Sequence, residues 1–219
     1  MATRNALAAM ARAYESRFEN TVAIESVGGI VAARRIAQGE AFDFVVLASN
    51  ALSALASAGH VDARTCTPLA HSSVAVAVAT GSKHPDIASE SAVRAMLLDA
   101  GRIGYSTGPS GDRLVALVER WGLSSVLAPR LVLASAGVPV AALVARGDVE
   151  LGFQQLSEVT DVPGVDVVGV LPPSVAPPTL FAGAVCSSAR HATAARELLA
   201  FFASDACTPA RHRNGMAPP

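Results

Sequence analysis

Four short segments carry the residues best suited to hold a ligand: Ser26-Val-Gly-Gly29, Ser49-Asn50, Ser106-Thr-Gly-Pro-Ser-Gly111 and Ser135-Ala-Gly137. Each follows a predicted strand and opens a predicted helix. A helix start leaves up to four N–H groups without an intrahelical acceptor and carries the positive end of the dipole. Glycine lets the backbone come close, and a serine hydroxyl adds a donor. Several such starts aimed at one ligand would hold an oxyanion or a carboxylate without any lysine. Taken singly, each turn reads as ordinary capping. Four at strand C-termini, where open α/β sheets bind ligands, shift the reading toward a site.

Other chemistries find less support. Ser110 lies between Gly108 and Gly111, but the string is not the Gly-x-Ser-x-Gly elbow, and no acid–histidine order supports a hydrolase. Neither Gly-x-Gly-x-x-Gly nor the lysine-bearing phosphate loop occurs, so nucleotide binding is not expected. Cys66, Cys186 and Cys207 lie far apart with no metal spacing, and neither metal nor cofactor is expected. Three buried thiols, or one bridge such as Cys186–Cys207, are both open. His60, His84 and His191 sit in polar turns and are expected at the surface, as is the Arg34-Arg35 pair.

The elements that must position these turns alternate along the chain. Leu7, Met10, Tyr14 and Phe18 mark a helix by their three- and four-residue steps. Thr21–Glu25 reads as a strand, and the next helix ends at Gln38-Gly39. Phe42–Leu47 reads as a central parallel strand buried on both faces, followed by a helix to Gly59. Strands are then predicted at 73–79, 102–106, 131–133, 150–154, 165–170 and 179–186. Helices are predicted after Asp86-Ile-Ala-Ser-Glu90, around Leu114–Trp121, from Gly137 and over 191–203. The proline-dense run Leu171–Pro178 reads as an extended connection.

Composition agrees with an α/β fold. Of 219 residues 51% are hydrophobic but only 5% aromatic, so the core is built from Ala, Val and Leu. Seventeen basic against eighteen acidic residues, with no run of like charge, argue against a nucleic-acid surface. No apolar run reaches the roughly 18 residues of a membrane span. Arg4, Arg12 and Glu15 interrupt the opening segment where a signal peptide would be apolar.

An ordered set of motifs covers essentially the whole chain: Val27-Gly-Gly29 with Arg35-Ile36, Gly39–Ser49, Ser72–Val78, Tyr105-Ser-Thr-Gly-Pro-Ser-Gly111, Ala145–Glu158 and Asn214-Gly-Met-Ala-Pro218. On these the chain resembles the molybdate-binding-protein-like branch of bacterial extracellular solute-binding proteins, within a group that includes trans-aconitate isomerase. The resemblance implies a type II periplasmic-binding-protein fold: two α/β lobes, joined by a two-stranded hinge, closing on a ligand cleft. Lobe 1 would hold residues 1–80 and 176–219, and lobe 2 residues 81–175. Family members begin with a signal peptide, a first strand and a Ser-bearing loop. This chain resembles them from the following helix onward, without the first strand, which implies an internal start in a longer, periplasmic protein or else a truncated form, the first being the favoured expectation.

Carried over position by position, the resemblance places ligand contacts at Gly28, Gly29, Ser72, Ser73, Ser106, Ser110, Gly111, Gly137, Val138 and Gln155. The molybdate binders have a tyrosine where this chain has Gln155 and a hydroxyl where it has Gly29. A primary amide both donates and accepts, which suits a carboxylate or carboxylic acid better than a bare tetrahedral oxyanion. The expected function is capture of a small anion, a di- or tricarboxylate, for an ABC-importer permease. The alternative is an isomerase shifting a double bond in a substrate such as aconitate, which needs a general acid/base. Glu158, Tyr105, Ser106 and Ser110 are the groups available for it.

Overall fold

A computed structural model describes residues 1–135 and 137–219. The chain divides into two compact units, residues 1–72 with 179–219, and residues 73–178. It passes between them twice, at 72/73 and at 178/179.

The first unit opens with α1 (Arg4–Glu15), α2 (Gly29–Ala37), β1 (Phe44–Ala48), α3 (Ser49–Ser57) and β2 (Thr67–Ser72). The second unit runs β3 (Val74–Ala79), α4 (Glu90–Asp99), β4 (Ile103–Tyr105), α5 (Pro109–Arg120), α6 (Ser124–Leu127), β5 (Leu131–Leu133), α7 (Val140–Ala145), β6 (Leu151–Gln155), α8 (Leu156–Val159) and β7 (Val165–Val170). The chain then returns to the first unit for β8 (Thr179–Val185), α9 (Ala192–Ala203) and α10 (Thr208–Arg213).

The sheet of the first unit has the order β1-β8-β2, with β8 antiparallel to both neighbours. Phe42–Leu47, expected as a central parallel strand, is therefore an edge strand paired antiparallel. Its apolar run has another cause: both faces are covered by helices. Val45 and Leu47 pack with Ile36, Leu52 and Leu55, while Phe44 and Val46 lie against the cluster holding Leu7, Met10, Leu199 and Phe202. The predicted strand Thr21–Glu25 is also corrected. Val22 and Ile24 do pack against that cluster, but the segment joins no ladder, and the Val22 N–H donates to the Glu15 carboxylate at 2.8 Å. Alternation alone makes an extended segment; a strand needs a neighbouring edge.

Strand β2 escapes the sequence reading because Pro68 and His71 interrupt it. It tolerates the proline because it is an edge strand, with a register shift between Pro68 and Ala70. Buried Arg211 of α10 ties the unit together. Its guanidinium donates to the carbonyls of Leu69 (2.7 Å), Ser204 (3.3 Å) and Phe202 (2.5 Å), and desolvation pushes its pKa down.

The second sheet has the order β5-β4-β6-β3-β7. Strands β4, β5 and β6 are parallel, and β3 is antiparallel to β6 and β7. These pairings put residues 74–79 in the second unit. Val74, Val76, Phe153 and Leu114 belong to its main apolar cluster. Gly152 lets α7 settle on the sheet: an added Cβ would lie 2.6 Å from Val144 Cγ2 and 3.1 Å from Val140 Cγ1.

The thiols are free. Cys186 and Cys207 are buried in different clusters, but Cys66, expected to be buried, is exposed beside the turn at 63–65. Burial pushes the Cys186 thiol up to about 11. His60 is half-buried, and Arg35 is not free on a solvated face. It bridges Glu25 and Glu40 and lies over the Phe42 ring at 4.9 Å.

Candidate functional site

Register decides which turns meet. In the second unit the pairs Ile103↔Leu131 and Ile103↔Leu151 run parallel, so Tyr105, Leu133 and Gln155 end at one edge of the sheet. Because β3 is antiparallel to β6 and Val74 pairs with Gln155, the start of β3 lies at that same edge. The Leu156 N–H donates to the Ser73 carbonyl at 2.9 Å. Ser73, the turn 106–111, Gly137-Val138 and Gln155 therefore gather at one end of one sheet. Open α/β sheets bind ligands at such an end.

Helix α5 contributes the most exacting local geometry. Its N-cap is Gly108, which supplies no side-chain acceptor, and Pro109 occupies N1. The first intrahelical bond here is Asp112 N–H to the Gly108 carbonyl, 3.0 Å. The N–H groups of Ser110 and Gly111 have no acceptor among the described residues, although both residues are buried, Ser110 at 1% exposure. Gly111 is obligatory: a Cβ there would stand 1.7 Å from the Ser106 carbonyl oxygen. The absent side chain lets the turn fold back over Ser106 while both donors stay inside.

Gln154 and Gln155 are both buried, at 3% and 1% exposure. The sequence reading singled out only Gln155. The overlooked signal was the pair itself: neighbours on a strand face opposite sides, so two buried amides need two polar environments. Gln154 Oε1 accepts the Ala141 N–H at 3.2 Å, near the start of α7. Its amide hydrogens are thereby left to donate. Burial pushes the Glu158 carboxyl above its ordinary range, and the Gln154 side chain offsets part of the shift. Tyr105 is half-buried and its ring edge packs against Gly111: a Cβ added there would lie 3.2 Å from Tyr105 Cδ2.

The remaining positions divide by unit. Gly137 has φ +82°, and the Val138 N–H donates to the Ser135 carbonyl at 2.9 Å; Ala136 of the turn Ser135–Gly137 lies outside the described residues. In the first unit Ser72 ends β2 beside Thr179, and Ala48 ends the parallel-running β1 at the same edge. Ser49-Asn50 opens α3 there. Gly28-Gly29 open α2 with no side-chain cap, and a Cβ on Gly29 would meet Leu47 Cδ2 at 3.8 Å. So Gly28, Gly29 and Ser72 share one polar edge, while Ser73, Ser106, Ser110, Gly111, Gly137, Val138 and Gln155 share the other.

Known proteins match this arrangement over nearly the full length. The family model for bacterial extracellular solute-binding proteins matches residues 1–217. An aconitate isomerase from Pseudomonas sp is 36% identical, over 84% of this chain and 70% of that protein. The periplasmic molybdate-binding protein of Azotobacter vinelandii superposes with a TM-score of 0.81 at 16% identity, covering 99% of this chain and 96% of its own. A tungstate-binding protein from Desulfovibrio alaskensis G20 gives 0.70 at 12% identity, over 97% and 92%. The α/β architecture is thus that of the periplasmic binding proteins, and the chain belongs to the bacterial extracellular solute-binding proteins.

Proposed function

We propose that the protein captures a small organic anion, a di- or tricarboxylate, as the periplasmic receptor of an ABC-type importer. The observation that carries this reading is the start of α5. Two buried N–H groups have no acceptor among the described residues, and a buried backbone donor is costly unless something accepts from it. An anionic oxygen at that helix start is the partner that both the geometry and the dipole favour. Ser73, Ser106, Ser110 and Gln155 add donors, and Gly137 and Val138 shape the neighbouring turn. Within the first unit, Gly28, Gly29 and Ser72 offer a polar edge of their own.

Gln155 decides between anion classes. Its amide donates and accepts, so it pairs with a carboxylic acid as well as with a carboxylate. A tetrahedral metal oxyanion offers acceptors only. Thermal-shift screening of tricarboxylates against molybdate, tungstate and sulfate tests the choice. Stabilisation grows with ligand concentration over affinity, about 2.7 kcal/mol at a hundredfold excess over Kd. Carboxylates are expected to raise Tm; a response to the metal oxyanions alone would overturn the reading of Gln155.

A second reading rests on Glu158 and on the relative named aconitate isomerase. Shifting a double bond takes a proton from one carbon and returns one at another. A carboxyl raised by burial is suited to such exchange, with Tyr105, Ser106 and Ser110 able to bind the carboxylates being held. Incubation with trans-aconitate, followed by proton NMR, separates the readings: appearance of the cis isomer supports catalysis, and tight binding without turnover supports capture.

A further inference from the structure

The first unit has a concavity of about 500 Å³ that shares no residue with the polar edges. Asp62, Arg64, Thr65, Thr67, Arg196 and Leu199 line it. This volume lies within the usual range for small-molecule sites. Asp62 is one of its two lining residues tied to β8. Its N–H donates to the Val185 carbonyl at 2.9 Å, and the Val185 N–H donates to Thr65 Oγ1 at 2.9 Å. The turn 62–65 is thereby pinned to β8 from both sides.

From that fixed position the Asp62 carboxylate holds two guanidinium groups. Oδ1 accepts from Arg64 Nε at 3.0 Å and from the Arg64 N–H at 3.1 Å, and Oδ2 accepts from the second arm of Arg64 at 3.0 Å. Arg196, on α9, approaches Oδ2 at 3.6 Å. The Arg64 guanidinium, before all else, keeps the Asp62 carboxyl below its ordinary range, so it stays ionised. Two cations and one anion leave a net charge of +1. The other arm of Arg64, together with Nε and the other arm of Arg196, has no acceptor among the described residues.

Thr65 Oγ1 is already committed, donating to the Asp62 carbonyl at 2.6 Å. Leu199, 1% exposed, makes an apolar floor. Exposed ion pairs add little to stability, so stability is a weak reason for gathering these groups. A carboxylate that aligns two planar forks is a receptor for a second carboxylate.

We infer that Arg64 and Arg196, aligned by Asp62, form a second site on the first unit that takes a small carboxylate of metabolite size. Because its donors are water-exposed, affinity falls in roughly the millimolar range. The test is an NMR titration of the 15N-labelled protein with succinate at constant ionic strength. Saturable shifts are expected at the Arg64 and Thr65 amides. The double variant Arg64→Gln/Arg196→Gln should lose them and keep any shifts at Ser110 and Gly111. Gly111→Ala should do the reverse, so failure here and failure of the proposed function are separately visible. Arg196→Lys, which keeps charge but not the fork, should weaken the response several-fold. Absence of shifts at Arg64 and Thr65, a linear response, or shifts that survive in the double variant would overturn the inference.

Discussion

Two helix starts in the second unit, those of α4 and α5, solve the same problem in opposite ways. At α4, Ser89 is the N-cap and its hydroxyl accepts the Ala92 N–H at 3.2 Å. The next residues, Glu90 and Ser91, are exposed, so water satisfies their N–H groups. At α5, Gly108 offers no cap, and Ser110 and Gly111 are buried with N–H groups that find no acceptor among the described residues. The first start is built for stability. The second leaves donors in a dry place, a cost that an anionic ligand offsets. Capping chemistry and site chemistry use the same residue types; burial and the missing acceptor tell them apart.

The contrast can be broken most severely at Gly111. Gly111→Ala places a methyl 1.7 Å from the Ser106 carbonyl oxygen, and the turn must open. We expect anion affinity to fall by at least about 100-fold, roughly 2.7 kcal/mol, measured by calorimetry. Ser110→Ala and Gln155→Ala each remove one donor and should cost about 1 kcal/mol or more of binding, with little loss of Tm. Ser89→Ala should do the opposite: about 1 kcal/mol of stability in urea unfolding, and unchanged affinity.

The smallest effect concerns Glu158. Its folded pKa lies above the unfolded value, so its contribution to stability is fully present below the unfolded pKa and is lost as pH rises through the folded pKa. At neutral pH the ionised carboxylate is therefore unfavourable. Glu158→Gln should raise Tm slightly at pH 7 and lose that advantage near pH 4, checked by paired melting curves. If Glu158 also exchanges protons with substrate, the same variant abolishes any isomerisation while leaving the binding donors in place.

Much of the fold was legible because local rules and tertiary packing agree. Gly39, Gly59, Gly122 and Gly147 end their helices with φ near +70 to +80°, as glycine at a left-handed cap should. Ser89 caps α4 where the Asp86–Glu90 string predicts a start. The failures are equally physical. Val22 and Ile24 alternate like a strand, but alternation cannot reveal whether a partner edge exists. Val45 to Leu47 read as central and parallel because helices on both faces produce the same apolar run. The short helices α6, α8 and α10 have too few turns to show a period.

The polar edges were legible as turns and not as geometry. The residue types at 106–111 were readable, but only register brings them to Ser73 and Gln155. Gln154 went unnoticed because its role depends on Ala141, thirteen residues earlier, and on Glu158. The Asp62–Arg196 pairing spans still more chain and leaves no local signature.

The most direct measurement follows the amide protons of Ser110 and Gly111 by NMR while a tricarboxylate such as citrate or trans-aconitate is added. The account predicts saturable downfield shifts at both, as their N–H groups gain an anionic acceptor, with the Ala92 amide of α4 unmoved. Saturation of the protein by such a ligand with Ser110 and Gly111 unshifted would contradict it.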